Sequence, residues 1–121
     1  MLSRSLYIQV RENHFEVRNI DDLRSIQHRA NPGFSHPRML VGDFALAQSC
    51  LKSLVAQARG SGFVLSVAVL VHPLEKIEGG LTHVEERLFE ELAIGAGASR
   101  AVVWTGAPLS DAEVVAKLKG A

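Results

Sequence analysis

The stretch that decides the fold is FVLSVAVLV, residues 63–71. Eight of its nine side chains are apolar and four of them are valine. A run this uniform lacks the alternation of a half-exposed strand and is typical of a strand covered on both faces. Gly60 and Gly62 precede it, and Pro73 follows it. We therefore predict that it is a central, parallel strand.

Upstream, the sequence predicts further strands. SLYIQV (5–10) and HFEVRNI (14–20) both alternate apolar and polar residues, which is the period of a half-buried strand. The short connection between them includes Asn13, a residue that tolerates positive φ, so the two should form a hairpin in which Arg18 turns outward. A weaker third strand is expected within LRSIQHR (23–29).

Three helices are predicted from their first residues. Asp43 can cap a helix that runs to about Arg59. Thr82 with Glu85, and Ser110 with Glu113, each form the S/T-x-x-E pattern of a capping box. The side chains expected to face the core are Phe44, Ala47, Leu51, Leu54, Val55 and Ala58 in the first helix, Val84, Leu88, Leu92 and Ala93 with Phe89 alongside in the second, and Val114, Val115 and Leu118 in the third.

AVVWT (101–105) adds a last strand, with Trp104 expected in the core. The element order is then β-β-(β)-α-β-α-β-α. Residues 1–121 are predicted to be a single α/β domain, with a mixed sheet of four or five strands and three helices.

Composition narrows the function classes. Lys plus Arg and Asp plus Glu are both 13, so the formal net charge is zero and nothing indicates a nucleic-acid partner. A single cysteine excludes an internal disulfide and fits a reducing compartment. The first residues resemble a strand and not a signal peptide, and the longest apolar run is too short for a membrane span. We expect a cytoplasmic protein.

Gly79 and Gly80 lie just beyond the carboxyl end of the central strand, where α/β sheets often bind ligands. They could cradle a phosphate or simply form a turn. The surrounding residues match neither a P-loop nor a dinucleotide fingerprint, and Glu75 and Glu78 would repel an anion. A turn is the favoured interpretation.

Catalytic and metal-binding patterns are weak. Cys50 lies on the apolar side of the first helix and is expected to be an inert thiol. The histidines share no metal-ligand spacing. His72 ends the central strand, where it most often bonds to the backbone; an enzyme using His72 with Glu75 or Glu78 is a remote alternative. No cofactor and no metal are expected.

The element order resembles a ribonuclease-H-like half, the unit that actin-like proteins duplicate. Within it, residues 67–104 are similar to the bacterial actin homologue MreB, a rod shape-determining protein, and more so to short bacterial proteins described as MreB-like. The hallmarks of that group are present as FSHPR (34–38), EKIEGGLT (75–82) and ELAIGAGA (91–98). The resemblance implies the first subdomain of an actin-like fold.

The chain departs from the actin-like pattern where that pattern binds nucleotide. The family carries Asp-x-Gly-Thr on its first hairpin, but residues 7–11 here read YIQVR. The family's water-orienting carboxylate precedes the matched proline, where this chain has Gly106 and Ala107 before Pro108. Phosphoryl transfer depends on such positioning groups, so the resemblance implies a pseudo-ATPase that is not an enzyme.

We therefore expect a non-enzymatic protein associated with cell shape that acts by protein contacts, through self-association or with a full-length actin homologue. The candidate interaction surface is Glu75, Glu78, Gly79, Gly80, Glu86 and His72. A complementary basic region is expected in the first 38 residues. The alternative is a stand-alone regulatory or small-ligand module, similar to an anti-sigma-factor antagonist, for which Ser110 is the phosphorylation candidate.

Overall fold

The computed structural model describes residues 3–120. In this range the chain forms five strands and three helices. In chain order the elements are β1 (Ser3–Arg11), β2 (His14–Asn19), β3 (Arg24–Arg29), α1 (Phe44–Ala58), β4 (Ser66–Pro73), α2 (His83–Gly95), β5 (Arg100–Val103) and α3 (Asp111–Lys119). The predicted element order is confirmed, including the weak third strand. No helix within residues 3–120 is long and apolar enough to cross a membrane.

The strands form one mixed sheet in the order β3-β2-β1-β4-β5. β1, β2 and β3 are antiparallel neighbours, whereas β4 runs parallel to both β1 and β5. The predicted central parallel strand is therefore confirmed. Its predicted start was wrong, because Phe63 and Leu65 precede the strand and are 71% and 65% exposed. In the described part of the chain the pairing of β1 with β4 begins at Ser3, which lies opposite Ser66.

Each face of β4 packs on a different hydrophobic cluster. Val67, Val69 and Val71 face the larger cluster, which includes α1 and α2. Leu70 faces the smaller cluster under α3, together with Tyr7. Because both faces are covered, the strand can be apolar throughout, as its sequence is.

The predicted caps are present at all three described helix starts. The side chain of Asp43 accepts a hydrogen bond from the Leu46 amide at 3.0 Å. Thr82 with Glu85, and Ser110 with Glu113, form complete capping boxes. These contacts are local in sequence, which is why the pattern predicted them correctly.

One side-chain prediction was wrong. Val84 is 78% exposed, because it lies five residues before the buried Phe89, and this places it about 140° around the helix from that residue. Arg18 alternates with the buried Val17 and is partly exposed, and its guanidinium also donates to Asp111 at 2.8 and 2.9 Å, which ties β2 to the start of α3. This pair raises the pKa of Arg18 and lowers the pKa of Asp111.

The parallel arrangement gives the sheet two distinct ends. The carboxyl end carries the β1–β2 turn and the loops 30–43, 74–82 and 104–110. The amino end carries the β2–β3 turn and the loops 59–65 and 96–99. In open α/β sheets, ligands bind at the carboxyl end, and the residues singled out from the sequence lie mainly there.

Candidate functional site

At the carboxyl end, the β1–β2 turn is joined to loop 30–43 by a reciprocal pair of hydrogen bonds. The Asn13 amide donates to Ser35 Oγ at 2.9 Å, and the Ser35 amide donates to Asn13 Oδ1 at 2.7 Å. Asn13 adopts the predicted positive φ of 54°. A Cβ on Gly33 would overlap the Asn13 side chain, so only glycine fits there. The turn and the loop therefore hold each other in one arrangement.

Lys76 connects a third loop to the same structure. Its ammonium donates to the carbonyl of Pro37 at 2.9 Å and lies 4.0 Å from the Glu12 carboxylate. The neighbouring Glu75 carboxylate accepts a hydrogen bond from the Glu12 amide. Loop 74–82 is thus bound to both other loops. The segments FSHPR (34–38) and EKIEGGLT (75–82) therefore contact each other through Lys76 and Pro37.

Gly79 and Gly80 form a turn within the third loop. Their φ values are 81° and 84°, a region that favours glycine. The Gly80 amide donates to the carbonyl of Ile77 at 2.8 Å. That amide is engaged within the turn, so the geometry matches the interpretation of a turn before a capped helix.

An apolar groove lies between these loops and α2. We call it the carboxyl-end groove. Its apolar lining includes Met39, Ile77, Leu81 and Leu88. Leu88 also lines an adjoining depression with Phe44 and Val84, so the apolar surface continues along α2. Val84 and Met39 are 78% and 45% exposed, and the fold itself leaves them uncovered.

The charged rim of this groove is mostly acidic. Glu75, Lys76 and Glu85 line the groove, and Arg87 and Glu91 line its extension. The two cations already have partners in the chain, since Lys76 is bound as described and Arg87 donates to Glu91 at 3.1 Å. An exposed carboxylate, Glu78, stands on the turn between Ile77 and Leu81.

The predicted interaction residues are therefore separated. Glu75, Glu78, Gly79 and Gly80 belong to the loop beside the groove. Glu86 lies on the exposed side of α2, in a surface that it shares with His83, Glu90 and Ile94. The sequence analysis missed Lys76, Met39, Ile77 and Leu81. Apolar residues inside two otherwise polar, glycine- and proline-rich loops were the signal that could have found the last three.

His72 was predicted as part of the surface, but it is fully buried. Its Nε2 lies 2.8 Å from the carbonyl of Gly106 and therefore carries the proton, because a carbonyl can only accept. Nδ1 is then the acceptor for the Tyr7 hydroxyl at 2.7 Å. Tyr7 in turn accepts from the Leu109 amide at 3.3 Å.

This network fixes loop 104–110 on the sheet. Burial lowers the pKa of His72 and so favours the neutral ring, and both ring nitrogens are engaged. Trp104 is half-buried, donates to the carbonyl of Ala107 at 2.9 Å and lies under the ammonium of Lys117. The arrangement matches the backbone-bonding role expected for a histidine at a strand end.

The other chemical candidates have structural explanations. Cys50 is half-buried, and burial raises the pKa of its thiol, which disfavours the nucleophilic thiolate. The Ser110 hydroxyl accepts the Glu113 amide at 3.2 Å as a helix cap. Across residues 3–120, no group of three or more His, Cys, Asp or Glu side chains is placed to hold a metal ion.

Comparison with known proteins identifies a relative of this chain. No family model matches it. It is 35% identical over 124 aligned residues to the Escherichia coli protein named "Uncharacterized protein YjaA", and the alignment covers 94% of this chain and 96% of that protein. An identity of this size over nearly the whole of both chains shows common ancestry. The chain therefore belongs to the family of the Escherichia coli protein YjaA.

Proposed function

We propose that this protein acts by protein contact and catalyses no reaction, with the carboxyl-end groove as its binding surface. The observation that carries the proposal is the exposed apolar lining, above all Val84 and Met39, beside three interlocked loops. Exposed apolar side chains that lie together beside ordered loops suit a small contact surface for a partner. Loops that hold each other by hydrogen bonds lose little further freedom on binding, which favours affinity.

The rim indicates the chemistry of the partner. The carboxylates of the rim outnumber its cations, because Glu75, Glu78 and Glu85 remain once Arg87 is paired with Glu91 and Lys76 with Glu12. A complementary partner presents apolar side chains flanked by Lys or Arg, as an amphipathic basic helix does. Charge of this sort mainly raises the association rate and the specificity, so added salt should weaken binding.

We also propose that the fold is ribonuclease-H-like, of the actin-subdomain type, and that the partner is a full-length actin homologue in cell-shape control. The order β-β-β-α-β-α-β-α supports this fold. The contact between FSHPR and EKIEGGLT, through Lys76 and Pro37, gives these hallmark segments a shared structural role. The partner itself is inferred from the resemblance of the sequence.

The test is direct binding of the purified chain to a purified full-length actin homologue from the same cell. Met39→Ser combined with Val84→Ser should weaken binding at least about tenfold, since truncating central apolar contacts costs more than 1 kcal/mol. Glu78→Lys should slow association and reduce its salt dependence. Glu78 is preferred over Glu75 for this purpose, because Glu75 also holds the Glu12 amide.

Phe63→Ser is the matched control, since it removes an equally exposed apolar side chain at the opposite end of the sheet. It should bind as the wild type does. If the wild-type chain does not bind the actin homologue, that homologue is not the partner. If the wild type and the Met39/Val84 variant bind it equally well, the groove is not the binding site.

A further inference from the structure

The amino end of the sheet presents apolar side chains at its loop tips. Leu23, in the β2–β3 turn, is 63% exposed, and Phe63 and Leu65, before β4, are 71% and 65% exposed. Leu23 also has a positive φ of 55°, which holds it in the turn. These side chains come from two separate loops, and the carboxyl-end groove lies at the other end of the sheet.

Hydrogen bonds and a shared cavity connect neighbouring segments at the amino end. Asn19 Nδ2 donates to the carbonyl of Ala58 at 2.9 Å, which joins the β2–β3 turn to the end of α1. The Ser99 amide donates to the carbonyl of Val67 at 2.7 Å, which joins loop 96–99 to the start of β4. Leu65 shares the wall of one cavity with Lys52, Arg59 and Ser99.

Several cations lie at the same end of the sheet as these apolar tips. By the topology of the sheet, Arg24, Arg59, Arg100 and Lys119 all lie at this end. Each is exposed or half-exposed. The acids in the same region are Asp21 and Asp22, which bind the Ser5 amide and the Asn19 side chain.

We propose that the amino end of the sheet docks on an anionic membrane surface. Apolar side chains at loop tips enter the interface between headgroups and acyl chains, while surrounding Lys and Arg side chains are attracted to anionic lipids. A bilayer accepts protruding side chains without a matching cavity, whereas a protein partner would need pockets placed to receive each loop.

Helix stability explains only part of this surface. Arg59 and Lys119 lie at the carboxyl ends of α1 and α3, where a cation is favourable in any helix. That effect gives no reason for leaving Phe63 and Leu65 in water beside them. In the docked state the carboxyl-end groove, at the opposite end of the sheet, stays open to a protein partner.

The test is sedimentation of the purified chain with vesicles of phosphatidylcholine alone, or mixed with phosphatidylglycerol. We expect binding to the mixed vesicles only, weakened by added salt. Phe63→Ser with Leu65→Ser, and Arg59→Glu with Arg100→Glu, should each weaken binding about tenfold or more. Met39→Ser with Val84→Ser, at the other end of the sheet, should bind as the wild type does.

Circular dichroism checks that each variant is folded, and Arg24→Glu with Lys119→Glu replaces the Arg59/Arg100 pair if that variant does not fold. The proposal would be overturned if the wild type bound neutral and mixed vesicles equally well. It would also be overturned if the Phe63/Leu65 variant bound mixed vesicles as tightly as the wild type does. The second result would indicate a general polyanion site such as one for RNA. Light scattering without lipid tests whether a second copy of the chain binds this end instead. If the wild type is an oligomer and the Phe63/Leu65 variant is a monomer, a second copy covers this end and the membrane proposal is wrong.

Discussion

At the scale of single residues, the buried contact between Tyr7 and His72 gives a test of how loop 104–110 is held. Tyr7→Phe removes the donor to His72 Nδ1 while keeping the ring that packs under α3. A buried acceptor left without a partner costs about 1–3 kcal/mol, so the free energy of unfolding should fall by that amount. Urea denaturation measures it, and a Tyr7→Phe variant as stable as the wild type would contradict the hydrogen-bond network.

His72 also predicts a dependence of stability on pH. Its pKa is lowered by burial in the folded state, so the unfolded chain binds a proton more readily. Stability should therefore fall as the pH drops below about 6.5, the ordinary histidine value, and level off once the pH is below the folded pKa.

His72→Gln is the comparison for this experiment, because its side chain does not titrate. Urea denaturation of both proteins at a series of pH values gives the difference between them. Acidic groups affect both proteins alike, so that difference isolates His72. A constant difference across the pH range would show that His72 has the same pKa in both states.

At the scale of secondary structure, the capping box at the start of α2 can be measured directly. Thr82→Ala removes the acceptor of the Glu85 amide, a hydrogen bond of 3.2 Å, and should cost about 1 kcal/mol. Thr105→Ala, at an exposed position outside any helix, is the control and should be close to neutral. A neutral Thr82→Ala in urea denaturation would mean that the cap adds nothing to stability.

Strand β4 and helix α2 provide a matched pair of valine substitutions. Val69 is fully buried in the larger cluster, so Val69→Ala should cost on the order of 2–3 kcal/mol. Val84 is 78% exposed, and Val84→Ala should leave the free energy of unfolding within about 0.5 kcal/mol of the wild type. Equal losses in urea denaturation would contradict the assigned burial of one of the two positions.

At the scale of the whole molecule, the proposed absence of catalysis predicts no measurable binding of Mg-ATP. Under the proposed actin-like fold, the positions of the nucleotide-binding and water-orienting acids carry no carboxylate: the first strand has Gln9, and Gly106 and Ala107 precede Pro108. Calorimetric titration should give no heat of binding. A dissociation constant in the micromolar range would contradict the proposal that the chain is a pseudo-ATPase.

The sequence predicted what local chemistry determines. β4 was found because a strand covered on both faces must be apolar throughout, and α2 because Thr82 and Glu85 satisfy each other three residues apart. The exposure of Phe63 depends on how the segment before β4 packs against distant parts of the chain, which a local pattern does not encode. Val84 was misassigned because it continues the apolar spacing of Leu88 and Leu92 beyond the contact with the sheet.

The positions of the charged surfaces could be predicted even less well from the sequence, because they depend on the fold. The basic region predicted within the first 38 residues is divided in the structure: Arg24 lies at the amino end of the sheet, whereas Arg29 and Arg38 lie at the carboxyl end. The cations of the amino end come from positions as far apart as Arg24 and Lys119. A search of the sequence for a basic run does not find these residues, because they are distant in sequence and only the folding of the sheet brings them to the same end.

The position of β1 in the sheet affects the chain while it is being made. β1 pairs with β2 on one side and with β4 on the other, and Ser3 faces Ser66. During synthesis the first three strands therefore leave the ribosome while the edge of β1 that pairs with β4 is still unpaired. Strand β4 emerges only dozens of residues later. An apolar open edge recruits strands from other chains. The nascent protein is most prone to aggregate in that interval, and a fragment ending near Gly62 would keep this exposed edge permanently.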